Sequence, residues 1–230
     1  MNFKIRSSQK ELLDEQGIPF MAIAQNMLEL NTINTLLGGH AITLTGFKKL
    51  LRNKTKITVC EIGCGGGDNL AAIVKYCNKK KLNIYCIGID SNSNCLATAE
   101  QNKYLQNNTR FICSDYAQVI FDIKPDIIFS SLFCHHFIEE ELSFQLKWMM
   151  QNSSIGFFIN DLHRHRLAYY SIQFLTQLFS KSYLVKNDAP LSVARGFKKA
   201  EWNALFSKAE IKNYKIYWKW AFRHLVIKEN

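Results

Sequence analysis

The sequence predicts an α/β fold in which a mostly parallel sheet is covered by helices on both faces. Three observations predict it. Short β-branched runs alternate with helical periodicities through the middle of the chain, the first such run ends in a cluster of glycines, and later runs end in acidic or polar residues. At 230 residues the chain suits a single domain, and 47% apolar residues are enough for a full core. It has no repeat, low-complexity tract or Pro/Gly/Ser-rich linker.

Taken in order, Ile23, Met27, Leu30 and Leu37, with Ile33 and Leu36 beside them, follow helical spacing and predict a helix over 20–37. Gly38-Gly39 stops it, and 45–51 reads as a second, short helix. Strands are predicted over 56–63, 83–90, 109–114, 126–131 and 155–160, with helices over 68–77, 94–104 and 139–150 between them. The alternation breaks after Asp161. A long amphipathic helix is expected over 166–179, a loop over 182–193, and a helix over 198–209 with Trp202, Leu205 and Phe206 inward. The final runs, 212–221 and 222–228, read as strands that pair in an antiparallel hairpin.

Composition narrows the class. The longest apolar stretch, near 167–185, is broken by Ser171, Gln173, Thr176, Gln177, Ser180 and Lys181, so it does not read as a membrane span. Residues 1–10 lack the apolar run of a secretion signal, and the expected compartment is the cytoplasm. Seven scattered cysteines, an odd number with no CxxC pair, argue against a disulfide framework or a zinc site. The net charge of +10 is carried by dispersed lysines, with Lys79–Lys81 the only run of three. Nucleic acid is therefore disfavoured as a partner, and weak attraction to an anionic membrane surface stays open.

The strongest local signal is Glu61-Ile62-Gly63-Cys64-Gly65-Gly66-Gly67-Asp68, between a predicted strand and a predicted helix. Glycines there permit a sharp turn and let a ligand approach the backbone. Asp90 ends the next strand, where a carboxylate can accept from both hydroxyls of a ribose. Asp115-Tyr116 ends the third, where the acid can accept from an adenine amino group and the ring can flank the base.

These residues resemble the class I S-adenosylmethionine (SAM)-dependent methyltransferase family, whose first motif is acidic-x-Gly-x-Gly-x-Gly and is matched by Glu61, Gly63, Gly65 and Gly67. The resemblance implies a Rossmann-like, seven-stranded sheet with a C-terminal antiparallel hairpin and SAM as cofactor. It also implies that Glu61 orders the methionine end, Asp90 binds the ribose and Asp115 the adenine. Cys64, Ser91, Tyr116 and Ser131 complete the expected cofactor set. One domain over 1–230 is then divided into N-terminal cap helices (1–52), a SAM-binding core (53–161), an insertion over the substrate (162–197), and a last helix with the terminal strands (198–230). A nicotinamide dehydrogenase shares part of this logic, but its loop is Gly-x-Gly-x-x-Gly with no preceding acid.

Four of the six histidines fall beyond the fourth and fifth strands: His135, His136, His163 and His165. SAM brings its own activation, so the protein must align the acceptor and handle its proton. A phenol of pKa near 10 is only about one part in a thousand ionised at pH 7, and a histidine can take that proton. His136, His135 and His163 are the expected catalytic candidates, one of the adjacent pair acting as base. The chain lacks the Asn/Asp-Pro-Pro-Tyr/Phe of adenine methyltransferases, the Pro-Cys of 5-methylcytosine enzymes, and an acid after the fourth strand as in metal-dependent catechol enzymes, so no metal is expected.

Residues 30–40, 161–170 and 188–197 further resemble the ubiquinone/menaquinone-biosynthesis branch and, within it, methyltransferases associated with type III polyketide synthases. That resemblance implies O-methylation of a phenolic or quinol-like small molecule, with His165, Arg164, Tyr169 and Arg195 expected at the acceptor. C-methylation of a similar ring needs the same pocket. RNA or protein methylation is suggested only by the charge, and a SAM-binding protein without catalysis stays open, as does the oligomeric state.

Overall fold

Among the described residues seven strands form one sheet: β1 (Lys56–Ile62), β2 (Asn83–Asp90), β3 (Thr109–Cys113), β4 (Ile127–Ser131), β5 (Gly156–Leu162), β6 (Tyr214–Lys219) and β7 (Arg223–Glu229). They belong to a computed structural model that describes residues 2–15 and 17–230. The spatial order is β3-β2-β1-β4-β5-β7-β6. β1 to β5 are parallel, and β7 runs antiparallel to both β5 and β6. The order reverses between β1 and β4, so the ligand crevice of such a sheet belongs at their carboxyl ends.

Among the described residues eight α-helices accompany the sheet: α1 (Phe20–Leu36), α2 (Gly39–Leu51), α3 (Asp68–Lys80), α4 (Ser93–Glu100), α5 (Glu139–Asn152), α6 (Arg166–Phe179), α7 (Tyr183–Arg195) and α8 (Lys199–Lys208). The strand period of two sorts the central side chains between two cores. Phe158, Leu225 and Ile227 pack with Phe47 and Leu50 of α2 and Ile73 of α3 on one face. Phe157, Ile159 and Val226 pack with Leu146 of α5 and Trp202 and Phe206 of α8 on the other. α2 is thus part of the core layer and not of a cap. α1 does lie over the site, with Met27 against Gly65 and Gly66.

Two expectations are corrected. Residues 182–193 form most of α7, not a loop. Ser182 caps the helix by accepting from the Val185 N–H at 3.3 Å, and Pro190 sits inside it. A helix-interior proline costs about 3 kcal/mol. Burying Leu184, Val185, Leu191 and Val193 recovers about 1.5–3 kcal/mol for each, which outweighs that cost. The helix expected over 94–104 ends at Glu100, and the Asn102 side chain then accepts from the Tyr104 N–H in a turn.

The insertion expected to close over the acceptor is divided. α7 packs into the protein, whereas α6 buries only Thr176 and leaves Leu167, Tyr170, Phe174, Leu178 and Phe179 exposed. No helix among the described residues is long and apolar enough to cross a membrane. All seven cysteines are free thiols, and all but Cys113 are buried.

Helix α2 approaches β5 through Gly46, where an added Cβ would lie 2.6 Å from the Phe158 ring. That ring is fully buried and stacked on Phe129 with centroids 4.8 Å apart, so it cannot swing into open space. Gly46→Ala gains about 0.5–1 kcal/mol in helix propensity and loses about 1–3 kcal/mol to overpacking. The expected outcome is a lower urea midpoint; a midpoint at or above the wild-type value would show that Phe158 yields.

Candidate active site

The loop after β1 holds three residues in the left-handed region: Gly63, Gly65 and Gly67, with φ of 65°, 50° and 71°. Side chains other than glycine enter that region at a cost. A Cβ on Gly63 would run into the Phe133 ring, and one on Gly67 would lie 2.7 Å from Leu105. Asp90 locks the loop from the neighbouring strand. It accepts from the Gly65 N–H at 2.8 Å and the Asn92 N–H at 2.9 Å, and burial still pushes its carboxyl above the ordinary value.

The loop opens on a cavity of about 1400 Å³ lined by Glu61, Gly63, Cys64, Gly65, Asp90, Ser91, Asp115, Tyr116 and Ser131. The structure thus brings together nine of the ten expected cofactor residues. Gly67 lies behind the loop as the N-cap of α3, where its part is conformational. Asp115 caps the turn Tyr116–Gln118, and Tyr116 packs edge-on against Phe133, Phe137 and Trp148. The Ser131 hydroxyl accepts from the Asn160 amide at 3.3 Å.

Glu61 is 1% exposed, and its Oε2 has no hydrogen-bond partner. Burial, then the nearby Asp68 and Asp90 charges, push its carboxyl well above the usual range. A buried acid left one bond short at a cavity wall fits a ligand that brings a cationic donor, as the amino group of SAM would.

The same cavity is lined by His135 and His136, in a 3-10 turn after β4. Nδ1 of His135 lies 2.7 Å from Asp161 Oδ1 at the end of β5, and its Nε2 lies 3.4 Å from Glu11 Oε1. Burial alone would lower the imidazole, but the Asp161 and Glu11 carboxylates push it up to about 9. His136 carries Nδ1 3.1 Å from Asp14 and Nε2 3.8 Å from Glu11. With both ring nitrogens of His135 already facing carboxylates, it is not a free base at neutral pH in this arrangement.

Glu11 and Asp14 are absent from the sequence-based candidates. The segment that carries them is tied down by Asp188, which accepts from the Leu12 and Leu13 N–H groups at 2.8 and 3.0 Å. Arg6 donates to the carbonyls of Arg195, His135 and Phe137. The one available signal is the acidic run Glu11-Leu12-Leu13-Asp14-Glu15 in a chain of net charge +10.

Four candidates lie outside the cavity. His163 accepts from Trp218 Nε1 at 3.2 Å and faces His224. His165 caps α6 and stacks on Phe222 with centroids 4.7 Å apart, and Tyr169 packs edge-on against Phe3. Arg164 is buried, and its five N–H groups donate to the carbonyls of Phe3, Lys4 and Gly196 and twice to Glu201. These residues depart from the crevice because the chain after β5 forms a bridge to Phe197 and runs beside β7. Arg195 does line the cavity, but it donates to the carbonyls of Gln9, His135 and His136, so it supports the histidine turn and leaves no fork aimed at an acceptor.

Glu61 has a thermodynamic consequence. Its folded value lies above the unfolded 4.5, so the native state holds the proton longer and stability falls as pH rises above about 4.5. Glu61→Gln is expected to raise the melting temperature of the ligand-free protein at pH 7.5, by about 2–4 °C per kcal/mol relieved, with the gain shrinking toward pH 4.5. A lower melting temperature at pH 7.5 would remove Glu61 as a strained acid.

Residues 59–151 match the family model described as a methyltransferase domain. No curated protein sequence matches the chain. Among solved structures, the plantazolicin methyltransferase BpumL in complex with S-adenosylhomocysteine (SAH) is similar at a TM-score of 0.66 and 19% identity, over 92% of this chain and 89% of that one. Magnesium protoporphyrin IX methyltransferase from Synechocystis, with bound SAM, gives 0.56 and 14%, over 86% and 83%. A candidate O-methyltransferase from Nostoc punctiforme gives 0.63 and 13% over 96% of this chain, which spans 63% of that longer chain. At such identities the likeness speaks to the fold. Residues 59–151, which carry the glycine loop, Asp90, Asp115 and the histidine pair, are thus similar to a methyltransferase domain.

Proposed function

We propose that the protein transfers the methyl group of SAM to an oxygen of a small phenolic or quinol-like acceptor, of the type found in polyketide-derived phenolic lipids. The observation that carries this reading is one continuous cavity lined by the glycine loop, by Glu61 with its unpartnered oxygen, and by the histidine pair. Its volume of about 1400 Å³ exceeds the ~300–1,000 Å³ of a pocket for one drug-sized ligand, which leaves room for an acceptor beside the cofactor.

In this reading Glu61 pairs with the amino group of SAM. The free lone pairs of Asp90 accept from the ribose hydroxyls, and Asp115 accepts from the adenine amino group beside the Tyr116 ring. Gly63, Cys64 and Gly65 offer close backbone approach, and Ser91 and Ser131 offer polar contacts at the rim. The sulfonium supplies the driving force when bound. The protein's work is to hold the acceptor oxygen in line with the methyl carbon and to relieve it of its proton. The resemblance of residues 30–40, 161–170 and 188–197 to the phenolic-lipid branch supports the acceptor class. The similar structures include a plantazolicin and a porphyrin methyltransferase, so the fold accommodates acceptors of different kinds.

Asp90→Ala removes two charge-assisted acceptors, each worth about 1.5–3 kcal/mol, and is expected to weaken SAH binding by ~10²–10⁴-fold in calorimetry. Unchanged affinity would remove Asp90 from the cofactor site. His136→Ala is expected to lower kcat by ~10²–10⁴-fold while SAH affinity stays within a few-fold. Labelled SAM offered with resorcinols, quinols and short RNAs, with the methylated atom located by NMR, tests the acceptor. Methylation of RNA alone, or at ring carbon, would overturn the reading.

A further inference from the structure

We infer that Glu11, His135 and His136 bind a divalent transition-metal ion of borderline softness, with zinc as the type, at the acceptor end of the cavity. Each offers one donor atom, and all three donors lie within 4.8 Å of one another. In a tetrahedral site with bonds of 2.0–2.1 Å the donors stand about 3.4 Å apart. Here Glu11 Oε1 lies 3.4 Å from His135 Nε2, and Glu11 Oε2 lies 3.8 Å from His136 Nε2. The two separations are to different oxygens of Glu11, so its carboxylate spans both rings.

The surroundings are those of a built site. Histidine ligands present one ring nitrogen to the ion and donate the other N–H to a carboxylate or carbonyl. His135 meets Asp161 through Nδ1 at 2.7 Å, and His136 meets Asp14 through Nδ1 at 3.1 Å. Both rings thereby point Nε2 toward Glu11, and ligation displaces the Nε2 proton of His135 while its Nδ1–H stays on Asp161. Ser192 donates to Glu11 Oε1 at 2.7 Å and fixes the third donor. Three carboxylates surround the position. The nearby Arg6 and Arg195 direct their donors to backbone carbonyls.

Two nitrogens and one carboxylate favour a first-row ion over magnesium or calcium, which take oxygen ligands. Glu11 and His135 are buried while His136 borders the cavity, so a fourth position faces the acceptor space. Three protein ligands and one open position is the pattern of catalytic zinc. The expectation that no metal is bound considered acids after the fourth strand. The third donor comes instead from the N-terminal segment.

What the ion would do rests on the proposed function. A phenolic oxygen in the open position becomes more acidic, as metal-bound water does. Its proton leaves to water in the cavity. The oxygen lone pair forms the new O–C bond, the C–S bond breaks, and its electron pair stays on sulfur as the neutral thioether.

The test uses chain stripped by a chelator and titrated with Co²⁺, followed by visible spectroscopy and by calorimetry with Zn²⁺. The expected result is one ion per chain with the d–d bands of a four- or five-coordinate site. Glu11→Gln and His136→Gln should each weaken binding at least tenfold, and Asp14→Asn, at a side chain one-third exposed, about 10–100-fold. SAH affinity of the same variants should equal that of the wild type, which shows that they fold. Wild type that binds SAH but takes up no Co²⁺, or Zn²⁺ affinity unchanged in the Glu11 and His136 variants, overturns the inference. Co²⁺ bound as expected without methylation of any phenol would overturn the acceptor reading alone.

Discussion

The histidine side of the cavity depends on one buried ion pair. Asp161 and His135 are both under 3% exposed and meet at 2.7 Å. Taking two charges out of water costs several kcal/mol per ion, and attraction offsets this only when the remaining hydrogen-bonding capacity is met. Here that capacity is met in part: the Leu162 N–H donates to Asp161 Oδ1 at 2.7 Å and Glu11 stands at the far side of the imidazole, while the buried Asp161 Oδ2 has no partner. The two partners shift in consistent directions, the acid downward and the imidazole upward. The pair therefore joins the end of β5, the turn after β4 and the N-terminal segment in one charged contact.

Two walls of the cavity are built by different means. The glycine-loop wall is a matter of backbone: three positive φ angles, a helix start, and carboxylates at adjacent strand tips. The histidine wall is a matter of side chains brought from distant parts of the chain, with Arg195 and Arg6 spending their donors on the carbonyls of the histidine turn. Truncating Arg6 would leave the Phe137 carbonyl without this donor and truncating Arg195 the His136 carbonyl, while the His135 carbonyl accepts from both.

This division explains what could be read in advance. The glycine loop, Asp90 and Asp115 were legible because each is fixed by its position at a strand end, and the terminal hairpin was legible from two strand-like runs. Pro190 disguised α7, since the burial that stabilises the helix is tertiary. The limits of α6 could be read from its periodicity, but an apolar stripe does not say which side meets water. Residues 163–166 follow a strand end, as the rule for such sheets requires of site residues. The pairing with β7 nevertheless leads them away, and only His135, His136 and Arg195 of the acceptor-end candidates reach the cavity. Glu11 and Asp14 meet His135 and His136 across more than a hundred residues, and no local pattern records such a meeting.

The separation has a consequence for how the molecule is made. Residues 6–14 leave the ribosome well before their partners, since Arg6 docks on the carbonyl of Arg195 and the Leu12 N–H on Asp188. Until α7 has emerged, the acidic segment has nowhere to settle. The glycine loop, built from neighbours in sequence, can take shape as soon as β1 and α3 are made, whereas the surroundings of the histidine turn are completed only once α7 has emerged. A nascent chain would thus hold one wall of the cavity before it holds the other.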